Sequence, residues 1–241
     1  MDNEFICDLQ RDNLKIIQKK NGFRFGTDAV LLSDFAKDVK AKATLDLCTG
    51  SGIVPILLYA KTEAEKIVGV ELQGEVAEMA KRSVELNGIQ DRVEIVQGDL
   101  RELKFKKHTF DLVTCNPPYM EKGVGNINEY DTISISRHEI MCTIEDVARA
   151  AADMLKDKGH FIMVHRPARL ADVLCAMRKF KLEPKRMRMV HSRVDSPPSL
   201  FLIDGALNGG RELKILPPLI MQDENGGESS ELQDIYEREC K

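Results

Sequence analysis

Through the middle of the chain, short unbroken apolar runs alternate with longer stretches in which apolar residues return every three or four positions. Short runs suit strands buried on both faces, and the longer spacing suits helices with one buried face. The predicted strands are 44–47, 66–71, 93–97, 110–115 and 160–165. The predicted helices between or after them are 53–60, 74–86, 143–155 and 170–180. In the second helix Val76, Met79, Ala80, Val84 and Leu86 approximate one stripe, and Asn87-Gly88 supplies a stop. Such alternation predicts an open α/β sheet, mostly parallel, with helices on both faces. Ahead of it, residues 14–18 and 23–25 flank 19–22, where Asn21-Gly22 favours the positive φ angles of a tight turn, so an amino-terminal β-hairpin is expected. A short helix over 29–36 follows, with Thr27 or Asp28 available to cap it. Near the end, 185–191 and 200–203 read as two more strands that add an antiparallel edge. The chain thus divides into a hairpin and helix over 1–43, a main domain over 44–222, and a tail over 223–241 whose linker-like composition predicts mobility.

Composition adds limits. The 241 residues, 43% hydrophobic and 31% charged, have ordinary globular proportions. Met1-Asp2-Asn3-Glu4 has no basic and apolar leader pattern, and no apolar run reaches the roughly 18 residues of a membrane span, so a cytoplasmic location is expected. Six cysteines are scattered without a C-x-x-C pair or zinc-like spacing, which predicts reduced thiols and no metal. The net charge of -4 hides an asymmetry. Residues 223–241 hold seven acids against two bases, a net -5, which leaves the first 222 residues at +1. Within those, 178–193 carries seven Lys or Arg against Glu183 alone, either a solvated face or a basic strip for nucleic acid.

The chemistry gathers at strand ends. Asp46-Leu47-Cys48-Thr49-Gly50-Ser51-Gly52 places a glycine-rich turn between the first strand of the main sheet and its helix, where open α/β sheets bind ligands. A dinucleotide fingerprint wants a third small residue, but Pro55 stands there. An acid at Asp46 repels a pyrophosphate and suits a cation such as a sulfonium or an α-ammonium. The next strand ends in Glu71-Leu72, with a carboxylate that can accept from ribose hydroxyls, and the third is followed by Asp99-Leu100, suited to an adenine amino group. Together these resemble the class I S-adenosylmethionine-dependent methyltransferases over about residues 25–164, with Cys48 where many members have glycine. The resemblance implies a Rossmann-like, mostly parallel seven-stranded sheet with an antiparallel edge strand. It also implies S-adenosylmethionine held by Asp46, Cys48, Gly50, Gly52, Glu71, Leu72, Asp99, Leu100 and Asn116.

The run 110–115 enters Asn116-Pro117-Pro118-Tyr119, where two prolines fix a stiff bend. The Asn116 side-chain oxygen and the Pro117 carbonyl can take the two N–H bonds of a planar amino group, while Tyr119 stacks on its ring. This corner resembles that of the amino methyltransferases, which act on adenine N6, guanine N2 or a glutamine amide. Cytosine-5 chemistry would need a Pro-Cys pair that is absent, and Cys115 is expected to face the core.

Residues 21–32, Arg137-His138-Glu139 and 213–219 resemble the bacterial tRNA adenine N6-methyltransferase family that modifies the adenosine beside a valine tRNA anticodon. That likeness implies a tRNA substrate, cofactor contacts from Phe25, Gly26, Thr27 and Asp28, and substrate contacts from Pro118, Tyr119, Lys122, Arg137 and His138. The other readings are methylation of guanine N2 or of a protein glutamine, and a cofactor-dependent RNA-binding protein without catalysis.

Overall fold

The computed structural model describes residues 4–20, 26–118 and 142–236. Its main body is one nine-stranded sheet. Five strands have the expected parallel pairing: β3 (Ala43–Leu47), β4 (Lys66–Glu71), β5 (Val93–Gln97), β6 (Phe110–Cys115) and β7 (Leu155–His165). They lie in the order β7-β6-β3-β4-β5.

The strands are apolar where helices cover both faces, while the edge strand β5 exposes Glu94 and β7 begins with exposed Asp157 and Lys158. On one face, α1 (Thr27–Ala36), α2 (Ile53–Lys61) and α3 (Gly74–Leu86) pack against Ile67, Leu112, Ile162 and Val164. On the other, α4 (Ile144–Met154) and α5 (Leu170–Lys179) pack against Leu45, Leu47, Val113, Cys115, Phe161 and Met163. Adjacent residues of one strand feed opposite cores, as the two-residue period of a strand requires. Cys115 is wholly buried in the second core, as expected.

The last strands differ from expectation. β8 (Leu182–His191) follows the crossover helix α5 and is parallel to β7, one position removed. β9 (Pro198–Leu207) returns through a short connection, is therefore antiparallel to β8, and fills the gap between β8 and β7. The antiparallel strand is inboard rather than at the edge. Two-residue strands β10 (Lys214–Ile215) and β11 (Leu219–Ile220) finish that edge beside β8.

An amino-terminal hairpin forms as expected, with a first strand that the pattern did not predict. β2 (Lys15–Lys19) pairs with β1 (Glu4–Asp8), while Asn21-Gly22 and Phe23–Phe25 lie outside the described residues. The free edge of β2 is satisfied by α3 side chains: Ile17 N–H donates to Ser83 Oγ at 3.0 Å, and Lys15 N–H donates to Asn87 Oδ1 at 2.8 Å. Arg82 clamps Glu4 through two 2.7 Å bonds. Side chains on a helix thus stand in for the third strand that a lone hairpin needs.

Composition also misjudged part of the tail. Ser230–Tyr236 forms a helix, α6, with Leu232 and Ile235 buried. Arg188 reaches Glu231 at 2.6 Å, and the buried Lys61 ammonium binds both Asp34 at 2.8 Å and the Ile235 carbonyl at 3.0 Å. A carbonyl and a carboxylate that share a desolvated ammonium anchor the helix better than an exposed ion pair would. We expect Leu232→Asp to remove amide hydrogen-exchange protection from 230–236 while lowering global stability by only about 1–2 kcal/mol. Retained protection there would show that Leu232 does not dock the helix.

Candidate active site

The carboxyl ends of β5, β4, β3 and β6 meet along one edge of the sheet. The turn after β3 has three left-handed residues, Cys48 at φ 58°, Gly50 at 56° and Gly52 at 86°. An L-residue such as Cys48 in that region costs about 1 kcal/mol. Thr49 N–H donates to the Val70 carbonyl at 3.0 Å and ties the turn to the neighbouring strand. A Cβ on Gly50 would meet nothing within 4 Å, so its backbone borders open space. The close approach that a third glycine would give is supplied by Gly69 instead. A Cβ there would lie 2.8 Å from Thr49 Oγ1 and 3.1 Å from Pro55 Cγ.

Asp46 has a task that its sequence position did not reveal. Its side chain is buried, and its two oxygens accept from Thr49 Oγ1 and from Thr114 Oγ1, both at 2.6 Å. Desolvation pushes its pKa up to about 7, against the pull of the two hydroxyls. Rather than offering an open charge to a ligand, this carboxyl joins the glycine turn to β6 two residues before Asn116. Thr49 and Thr114 carried no motif of their own, so sequence reasoning passed over them. The one available signal was Gly69, a glycine inside a buried strand, which marks a close backbone approach.

Glu71 is also buried, and it braces the turn from the next strand. Its Oε2 accepts from Gly50 N–H and its Oε1 from Gln73 N–H, each at 2.9 Å. An ionised carboxylate has about four acceptor positions, so both oxygens can accept further donors. Leu72 beside it is 46% exposed and offers an apolar surface at the edge. Asp99 accepts from Arg101 N–H at 2.9 Å and is gripped by the Arg101 guanidinium, which holds its carboxyl below the usual range. The Leu100 side chain is buried in the core with Val68, Val70 and Phe110, which leaves only its backbone for a contact at the edge.

At the corner, Thr114 and Cys115 lie opposite Asp46 and Leu47 in register, so Asn116 leaves the sheet beside the glycine turn. Asn116 is half-buried, Pro117 buried and Pro118 exposed. Gly26, Thr27 and Asp28 stand at the amino end of α1, where Gly26 is the cap residue. The Asp28 carboxylate accepts from Ala29 N–H at 3.0 Å, and Tyr236 from α6 donates to Thr27 Oγ1 at 3.4 Å. Phe25, Tyr119, Lys122, Arg137 and His138 lie outside the described residues. Among the described residues, no group of three His, Cys, Asp or Glu is placed to hold a metal ion, and no helix is long and apolar enough to cross a membrane.

Much of the basic strip is occupied internally. Arg186 binds Asp204 at 2.8 Å and the Phe35 carbonyl, and its guanidinium lies over the Phe35 ring. Arg188 binds Glu231, Lys179 binds Glu145, and Lys185 donates to the Gly210 carbonyl.

Residues 44–124 match a family model described as a methyltransferase domain. A predicted O-methyltransferase from Agrobacterium tumefaciens shares the fold, with a TM-score of 0.71 at 23% identity, covering 87% of this chain and 95% of that one. A geranyl diphosphate methyltransferase solved with S-adenosylmethionine aligns at 0.56 and 15% identity over 74% of this chain and 85% of its own. Among curated relatives, a tRNA1(Val) (adenine(37)-N6)-methyltransferase from Phocaeicola vulgatus is 27% identical over 181 residues, 75% of each chain. One from Bacteroides thetaiotaomicron is 30% identical over 191 residues, 78% of this chain and 79% of the relative. The chain belongs to the tRNA1(Val) (adenine(37)-N6)-methyltransferase family.

As a member of this family it is an S-adenosylmethionine-dependent N-methyltransferase with a class I fold. The edge fits that cofactor, with open backbone at Gly50, the Glu71 carboxylate and the apolar Leu72 side by side.

Asp46 makes this methyltransferase sensitive to pH. Unfolded, the carboxyl ionises near 3.8; folded, it keeps its proton until about 7. The native state therefore binds more protons between those values, and the stability Asp46 contributes is greatest below about 4 and declines as pH rises toward 7. Relative to Asp46→Asn, the wild type should lose roughly 2–3 kcal/mol between pH 5 and pH 7.5 in urea titrations. A difference independent of pH would show that Asp46 is ionised throughout.

Proposed function

We propose that the chain transfers the methyl group of S-adenosylmethionine to the N6 amino group of an adenosine in tRNA, and that it works in the cytoplasm. The observation that carries this reading is the placement of Asn116-Pro117-Pro118 beside the glycine turn, with the Asp46 carboxyl bonded to both sides. The name of the 30% identical relative supports adenine as the base.

In this account Gly50 and Gly52 admit the cofactor's methionine part, Glu71 accepts from its ribose, and Leu72 lies along its adenine, with Asp99 accepting from the adenine amino group. Gly26, Thr27 and Asp28, with Phe25, close over it. The sulfonium supplies an electrophilic methyl carbon. The protein's task is then orientation: the Asn116 side-chain oxygen and the Pro117 carbonyl accept the two N6 hydrogens, which directs the nitrogen lone pair toward that carbon. Tyr119 and Pro118 pack on the target base, replacing stacking lost when the nucleoside leaves its neighbours. Lys122, Arg137 and His138 contact the RNA. The product's proton passes to water, since a protonated N6 is strongly acidic, and no buried base is required.

With unmodified valine tRNA and radiolabelled cofactor, nucleoside mass spectrometry should find N6-methyladenosine. Asn116→Ala should lower turnover at least about 100-fold while calorimetric cofactor affinity stays within about threefold. Label on guanosine or in protein alone would reject adenine, and unchanged turnover would remove Asn116 from the mechanism.

A further inference from the structure

Cys48 and Cys142 are 94 positions apart, yet their sulfurs lie 4.0 Å apart at the site edge. Both are partly buried and pack on the α4 side of the sheet, against the core that contains the buried Cys115. We infer that Cys48 and Cys142 form a reversible dithiol site, oxidised by low-molecular-weight disulfides, that governs whether the glycine turn can hold the cofactor.

The two thiols are held in different ways. Cys142 precedes Thr143, whose hydroxyl accepts from Asp146 N–H at 3.1 Å while the Asp146 carboxylate accepts from Thr143 N–H at 3.0 Å. That reciprocal cap fixes the amino end of α4. Cys48 sits instead on a turn, at a left-handed φ of 58°. A disulfide requires the sulfurs to close from 4.0 Å to about 2.05 Å, and that closure draws the turn against the bonds that hold it to Asp46 and Glu71. Two residues on, Gly50 N–H reaches Glu71 at 2.9 Å, so a shift of the turn toward α4 pulls that bond open and moves the open backbone.

The step balances as thiol–disulfide exchange. One protein thiolate attacks a sulfur of a disulfide such as glutathione disulfide and expels the first small thiolate. The second protein thiolate then attacks the protein sulfur of the mixed disulfide and expels the other. Two protein thiols are oxidised, one small disulfide is reduced to two thiols, and the two protons released by the protein go to the leaving thiolates. Cys115 and burial push the Cys48 thiol up, and Cys48 and burial do the same for Cys142, so exchange quickens as pH rises.

The test treats the full chain with glutathione disulfide at pH 8.5, maps linked peptides by mass spectrometry and titrates S-adenosylmethionine by calorimetry before and after reduction. A Cys48–Cys142 link, at least tenfold weaker cofactor binding in the linked protein, and full recovery with reductant are expected. Cys142→Ser should bind like the reduced wild type and resist the treatment. A protein in which no such link forms, or a linked protein with unchanged affinity, overturns the inference. Neither readout uses RNA, so its failure is separable from failure of the adenosine assignment.

Discussion

One buried carboxyl organises this site. Asp46 lies on β3, the middle one of the five parallel strands, and receives hydroxyl hydrogens from both sides, from Thr49 in the glycine turn and from Thr114 on the strand that ends in the Asn-Pro-Pro corner. The two segments meet because β3 and β6 are parallel neighbours, but adjacency alone leaves a turn of left-handed residues free to shift. Two short bonds to a desolvated group remove that freedom. Burial makes such bonds strong and makes the loss of either costly, because a polar group stripped of its partner has no water to replace it. Glu71 repeats the device from the next strand, bonding Gly50 while retaining acceptor capacity at the edge.

The two charge anomalies of the chain answer one another. The basic strip on β8 and the acidic tail look in isolation like a nucleic-acid surface and a solvated appendage. In the fold Arg188 meets Glu231, and Arg186 is drawn inward to Asp204 and the ring of Phe35. Arg188 thus docks α6 and Arg186 seals the region where α1 meets β8 and β9, and less is left for phosphate than a count of lysines and arginines suggests. This shifts the expected RNA contacts toward the corner after β6.

The parallel strands and their helices were legible because burial on both faces leaves a continuous apolar signature, and the ends of β4, β5 and β6 fall where the sequence puts them. The glycine turn, Glu71 and Asp99 were legible because strand ends are where such sheets bind ligands. Pairing was harder to read. Residues 15–19 have no local pattern that points to 4–8, and their other side is bonded by Ser83 and Asn87 on a helix more than sixty positions away. The inboard place of β9 follows from a crossover and a hairpin acting together, which no single segment encodes. Asp46 was found, but the two threonines that bond it carried no signal of their own. The thiol pair was invisible because its members are distant in sequence and share no spacing.

The central claim is that Asp46 couples the cofactor turn to the methyl-acceptor corner, and a double-mutant cycle on its two hydroxyl partners tests it. Thr49→Val, Thr114→Val and the double variant would be compared by kcat/KM for tRNA methylation. If one carboxyl serves both, the second substitution should cost at least about threefold less in the background of the first than it costs alone. Strictly multiplicative losses would mean that the turn and the corner are held independently and that Asp46 does not join them.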